Sequence, residues 1–186
     1  MKATKNLVTL ILFLLTVQFV QGQSLSFEKG SRTAQFGFGL GATFATGSVT
    51  MPPIQFRYEK AITDKISVGG ILGYSSSKFK YEDVDYIGGN IVYKESAIKY
   101  SYLLIGARGN YHFETGEKLD PYVGATLGYN KIGVGDTGYT GSDVAVSGIL
   151  LGAQIGANYY FSDKIGAWAE LGYGISYLNV GLAYKF

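Results

Sequence analysis

The sequence predicts an all-β fold: an eight-stranded antiparallel up-and-down barrel that crosses a membrane with its strands. Three observations predict it. Large apolar residues alternate with small or polar ones through eight separate runs, the pattern of strands with one greasy and one polar face. Beyond the amino-terminal stretch no segment is long and apolar enough for a spanning helix, and no helical period competes. The chain holds 27 Gly and 16 Tyr but only 3 Pro, with no collagen-like repeat, so its glycines serve strands rather than disorder.

Residues 1–6 carry Lys2 and Lys5 and no acid, and residues 7–20 are apolar except for Thr9, Thr16 and Gln18. Gly22 supplies a small residue at the cleavage spacing, so residues 1–22 are expected to be a signal peptide that is removed. The run falls short of the ~20 apolar residues a spanning helix needs. Residues 23–33 are then a short periplasmic lead-in and 34–186 the barrel. Loss of Lys2 and Lys5 takes 16 basic residues to 14, equal to the 14 acidic ones, so the basic charge balance says nothing about nucleic acid. Without cysteine there is neither a disulfide framework nor a thiolate metal site.

The first strand sets Phe36, Phe38, Leu40, Ala42 and Phe44 against Gly37, Gly39, Gly41 and Thr43. The second sets Ile54, Phe56 and Tyr58 against Gln55, Arg57 and Glu59, and the third Val68, Leu72 and Tyr74 against Ser67, Gly69, Gly73 and Ser75. In the fourth, Leu103, Ile105, Ala107, Tyr111 and Phe113 oppose Gly106, Arg108, Asn110 and His112. The fifth opposes Val123, Leu127 and Tyr129 to Gly124, Thr126 and Gly128. The sixth opposes Ile149, Leu151, Ile155 and Tyr159 to Gly152, Gln154 and Asn158. The seventh opposes Ile165, Leu171 and Tyr173 to Gly166, Trp168 and Glu170, and the eighth is the closing nonapeptide 178–186. Polar turns at 63–65, 114–121 and 162–164 are short, whereas 47–53, 76–96 and 131–145 are longer. Strands of ~9 to 11 residues with short turns at one end are transmembrane-barrel dimensions, which puts both termini on the periplasmic side.

The apolar face must point outward, because eight strands leave an interior only just wide enough for side chains and the glycine-rich face has the room. Tyr58, Phe113, Tyr159, Phe161 and Phe186 then form an interfacial girdle, with Lys60 snorkelling at the rim.

On these runs, and on the segments 106–113, 121–125 and 180–186, the chain resembles the small eight-stranded outer-membrane β-barrel proteins, the OmpX and OmpA-membrane-domain type, over about residues 34–186. The resemblance implies a monomer in a Gram-negative outer membrane, in contact with lipid and lipopolysaccharide. It also implies a carboxyl-terminal signal, Gly181, Leu182, Tyr184 and Phe186, read by the barrel-insertion machinery.

Inward charges are expected at Arg57, Glu59, Arg108 and Glu170, with His112 and Lys185 near the periplasmic rim. They suit either a charged constriction that filters solutes or a plug of mutually paired groups. The narrow interior favours the plug, since an unpaired charge there is costly. An enzyme is not expected. The single histidine sits at the periplasmic end, and no activated nucleophile is legible in the outer loops. Asp83, Asp85, Asp136 and Asp143 read as solvated loop acids with no metal-ligand spacing, and Gly133-Val134-Gly135 precedes no helix, so no metal or cofactor is expected.

The second long loop interleaves Phe79, Tyr81, Tyr86 and Tyr93 with cancelling charges, which disfavours nucleic acid. Strands three and four are expected to continue through it as a hairpin with its aromatics paired across. It reads either as an exposed edge that pairs with a host or surface protein, or as a solvated shield for the rim. The expected function is non-enzymatic, in envelope integrity or surface interaction. The alternative is a narrow passive pore for small solutes.

Overall fold

The computed structural model describes residues 27–87, 90–113, 118–136 and 144–186. The expected signal peptide, residues 23–26 of the lead-in, Asp143 and the side chains of Asp83, Asp85, Tyr86 and Asp136 lie outside that description. Eight antiparallel strands close a barrel in sequence order: β1 (Arg32–Leu40), β2 (Ser48–Ala61), β3 (Ile66–Ile87), β4 (Asn90–His112), β5 (Leu119–Asp136), β6 (Val144–Tyr160), β7 (Ile165–Gly172) and β8 (Leu178–Lys185). Closure comes from β8 pairing with β1, Gly181 opposite Gly37 and Leu182 opposite Phe36, so the spanning wall has no open edge.

Burial follows the pleat. Phe36, Phe56, Leu72, Ile105, Leu127 and Leu182 are exposed on the outer face, and Ile149 and Leu151 reach 79% and 73%. The inner face carries the buried polar residues, the reverse of a water-soluble barrel. A continuous apolar exterior of this kind is solvated by lipid, and the molecule is a transmembrane barrel.

Strand lengths differ from the sequence-based estimate. β3 and β4 run for 22 and 23 residues, and β7 and β8 for only 8 each. A 22-residue strand covers about 75 Å at ~3.4 Å per residue, far more than the ~25 Å apolar band. Residues 76–96, read as a long loop through which strands three and four continue as a hairpin, therefore belong largely to a β3–β4 ribbon that rises above the rim. Its register puts Phe79 opposite Ile98, Tyr81 opposite Ser96 and Tyr93 opposite Val84, so these aromatics do not pair with each other as expected.

β1 stops at Leu40 rather than continuing through Phe44. Gly41, with φ of 80°, turns the chain there because a left-handed backbone suits only a residue without Cβ. Phe44 consequently leaves the lipid face and packs over the inward cluster Ile71, Leu104, Leu150 and Ile175. In β2, the register shifts between Met51 and Ile54, where Pro52 and Pro53 have no N–H to give the ladder.

Candidate functional site

The lumen is filled from the wall inward by residues at alternate strand positions. β2 supplies Arg57 and Glu59, β4 Arg108, Asn110 and His112, β5 Asp120 and Tyr122, and β7 Trp168 and Glu170. All of these side chains are buried. Arg57 Nη1 lies 2.5 Å from Glu170 Oε2, and its guanidinium sits 3.5 Å over the Trp168 ring. Arg108 donates from Nε to Glu59 Oε1 at 3.0 Å and makes a two-pronged contact with Glu170. Tyr122 donates its hydroxyl to Glu170 Oε2 at 2.8 Å, and Asn110 Nδ2 donates to Glu59 Oε2 at 2.8 Å. Two guanidiniums meet two carboxylates, so the layer is neutral and braces β2, β4, β5 and β7 across the interior. In a low-dielectric lumen each charge needs such partners; Arg108 meets Glu170 in bidentate geometry, whereas Arg57 meets it through Nη1 alone and lies over the Trp168 ring.

Glycine makes the room. A Cβ at Gly37 would run into the Trp168 ring and the Val180 carbonyl oxygen, and one at Gly69 into the backbone of Tyr58 and Glu59.

The layer divides the remaining space. On the side of the loops lies a cavity of about 20 Å³ beneath Ile175, and on the side of the termini one of about 10 Å³ beside His112. Each is about the size of a single water site. Phe27, from the lead-in, stacks on the His112 ring at 3.7 Å and 8° and covers the second cavity. Lys185 is half-buried at this rim, with Nζ 5.0 Å over the Tyr160 ring.

Two residues of this end escaped the sequence reading. Asp120, taken for part of a turn, is in β5, and its Oδ1 lies 2.6 Å from His112 Nδ1. Ser67 Oγ lies 2.9 Å from His112 Nε2. The pairing of β3 with β4, which sets Ser67 opposite Asn110, is the signal that would have found Ser67. Serine, histidine and aspartate thus stand in the order of nucleophile, base and orienter. The surroundings oppose that use. Ser67 donates its hydroxyl to Glu59 Oε2 at 2.9 Å, the nearby amide Asn110 Nδ2 is engaged by the same carboxylate, and the cavity admits no substrate.

The remaining sequence-predicted sites are dispersed. Phe79 and Tyr93 are exposed on the ribbon, but Phe79 shares the lumen-side parity of Ser75 and Ser77 whereas Tyr93 lies on the outer side with Val84. Phe79 and Tyr93 therefore do not form one patch. Leu182, Tyr184 and Phe186 are exposed on the outer face, whereas Gly181 faces inward against β1. Among the described residues no cluster of metal-ligating side chains occurs.

No family model and no curated protein matches the chain. Solved structures do. The N-terminal β-barrel domain of Pseudomonas aeruginosa OprF matches at 21% identity and a TM-score of 0.52, covering 86% of this chain and 98% of that one. The likeness is one of fold. Ail, the attachment invasion locus protein of Yersinia pestis, solved with the heparin analogue sucrose octasulfate, matches at 14% identity and a TM-score of 0.54, over 85% and 99% of the two chains. Neisserial surface protein A matches at 16% identity and a TM-score of 0.52, over 84% and 94%. At these identities the shared property is the eight-stranded antiparallel barrel.

Proposed function

We propose that this protein is a non-enzymatic, non-conducting barrel of a Gram-negative outer membrane that presents the β3–β4 ribbon at the cell surface as an interaction element. The observation that carries the reading is the ribbon itself. Among the described residues β2 pairs with β3 as far as Lys78 and β5 with β4 as far as Ile98, so the ribbon extends past both neighbouring strands. A ribbon that outruns its neighbouring strands and carries exposed Ile91 and Tyr93 suits strand addition by a partner protein. Ail, an attachment protein by name, and Neisserial surface protein A share the fold and lend the reading support. The rival reading, a narrow passive pore, is disfavoured by the neutral charge layer between two water-sized cavities. The buried Ser67 and the occluded His112 favour a non-enzymatic role.

Because Tyr81 and Ser96 are directly opposite, residues 82–95 can be replaced by an Asn-Gly turn without disturbing the register below. Cells displaying this variant should lose adherence to extracellular host proteins while the barrel still refolds. Unchanged adherence, or steady single-channel conductance of the intact protein in planar bilayers, would overturn the proposal.

A further inference from the structure

The outer face of the β3–β4 ribbon carries charge in an order that is its own complement when reversed. The register runs unbroken from Ser76 opposite Ser101 up to Val84 opposite Tyr93. Between them, on the outward parity, stand three rungs: Lys78 opposite Lys99, Lys80 opposite Ala97, and Glu82 opposite Glu95. Like charges directly opposite on a sheet destabilise it, so a doubly basic rung and a doubly acidic rung each weaken the isolated ribbon. Lys80 pairs with Glu95 at 3.4 Å, both side chains well exposed, which leaves Lys78, Lys99 and Glu82 without an ion-pair partner among the described residues.

One rung farther out on either side lie a hollow and a projection. Below, Ser76, Ser101 and, on β5, Gly133 line a depression of about 520 Å³. Above, Tyr93 is 70% exposed. Tyr93 stands as far above the Lys80 and Ala97 rung as Ser101 stands below it, on the same strand.

One symmetry operation matches all of these at once. A two-fold axis at the Lys80 and Ala97 rung, lying between two ribbon faces and running across the strands, stacks β4 on β4 in antiparallel sense. Each copy's Lys78 and Lys99 then face the other's Glu82 and Glu95, and each Tyr93 faces the other's Ser101 hollow. Both residues of a charged rung have the same sign, so the match survives a sideways offset of one strand. The two Lys80 side chains meet near the axis, each neutralised by its own Glu95. An axis along the strands would instead put lysine on lysine and glutamate on glutamate. Isologous contacts require a self-complementary patch of this kind, and like-charge juxtaposition rejects the parallel arrangement.

We propose that this face binds a second copy of the chain in antiparallel sense and thereby joins barrels of two apposed membranes. Each ribbon rises from its own barrel rim, so antiparallel ribbons place their barrels at opposite ends. A two-stranded face about 10 Å wide and about 27 Å long buries on the order of 600 Å² over both copies, half of the ~1,200 Å² at which stable interfaces begin. A single contact is therefore weak, and many contacts between two membrane surfaces act together. The inference uses the flat face of the ribbon and goes beyond the partner-protein reading, since it holds whether or not a foreign strand adds to the ribbon.

The test uses the full mature chain reconstituted into phosphatidylcholine vesicles labelled with one of two fluorescent lipids, with vesicle pairing counted by two-colour coincidence. Vesicles of the unaltered chain should pair several-fold more often than protein-free ones, and high salt should reverse the effect. Lys78→Glu/Lys99→Glu should abolish self-pairing, and Tyr93→Ser should lower it several-fold. The Lys78→Glu/Lys99→Glu/Glu82→Lys/Glu95→Lys variant exchanges the two charged rungs at unchanged net charge. Its vesicles should pair with one another yet several-fold less with those of the unaltered chain. Heat-modifiable migration in gels establishes that each variant is folded. Equal pairing of the exchanged variant with itself and with the unaltered chain would mean that register is irrelevant and would overturn the site. Unaltered vesicles that stay separate at high protein density would overturn it also. Host-protein adherence is a separate readout, so loss of either behaviour with the other intact shows which reading has failed.

Discussion

Arg108 holds Glu170 by both carboxylate oxygens, Nη1 to Oε1 at 3.2 Å and Nη2 to Oε2 at 2.6 Å. Glu170 is simultaneously the partner of Arg57, so one carboxylate from β7 neutralises guanidiniums from β2 and β4. Removing its charge leaves two buried cations sharing Glu59 alone. Glu170→Gln should therefore cost about 3–5 kcal/mol, the usual penalty for breaking a buried pair. Urea titrations of the refolded barrel measure it. Lys80→Gln, which breaks only the exposed pair with Glu95, should change stability by less than about 1 kcal/mol.

Gly37 is where the wall approaches Trp168 most closely on β1, and a Cβ there would overlap the indole. Gly37→Ala should destabilise by about 1–3 kcal/mol through overpacking. It should also shift the emission of Trp168, the sole tryptophan, as the ring is displaced from Arg57. Gly148→Ala, where an added Cβ meets nothing within 4 Å, should leave both readouts unchanged.

These two sites show what could be read from the chain alone. Alternation assigns Arg57, Glu59, Arg108, Glu170 and Trp168 to the inner face because parity needs no knowledge of partners. Parity also puts Ile71, Leu104 and Leu150 inward, but the assumption of a uniformly polar lumen hides them. They form the apolar cap that Phe44 completes. Asp120 is obscured because a polar run ending in proline resembles a turn, and its pairing with Asn158 across β5 and β6 is what makes it a strand residue that can reach His112. The continuation of strands three and four through residues 76–96 is legible, but where each strand ends is not, because beyond the lipid the outer face turns polar and the contrast between faces fades.

Leu151 is 73% exposed in the middle of β6 and faces lipid. Leu151→Arg should cost about 2–4 kcal/mol, whereas an arginine at Phe161, beside the turn before β7, should cost about 0–1 kcal/mol. Refolding titrations into lipid vesicles compare the two. Equal tolerance at both depths would be incompatible with the outward apolar face.

Phe27 is held over the lumen mouth by local backbone ties, Gly30 N–H to the Ala61 carbonyl at 3.0 Å and Lys29 N–H to Asp64 Oδ1 at 3.0 Å. Phe27→Ala keeps those ties but removes the ring stacked on His112. The expected loss is about 0.5–1.5 kcal/mol beyond the area term for an aromatic pair. His112, now open to water from the termini side, should exchange its ring protons faster by NMR, while single-channel recordings stay silent because the Arg57, Arg108, Glu59 and Glu170 layer above is intact.

Phe186 is 65% exposed on the outer face and packs edge-on against Tyr184, ring centroids 4.9 Å apart. Its backbone N–H donates to the Arg32 carbonyl at 2.9 Å, so the main chain closes β8 onto β1 whatever the side chain is. The ring itself contributes only interfacial anchoring to the finished barrel. Phe186→Ala should therefore leave refolded stability in detergent within about 1 kcal/mol, since the lost contact is one exposed aromatic pair. If the closing residues are also an assembly address, the same variant should reach the membrane of living cells at a much lower level than the intact chain. Quantifying heat-modifiable, folded protein in envelope fractions separates the two roles. A variant that inserts normally but unfolds more easily would leave Phe186 an anchor and nothing more.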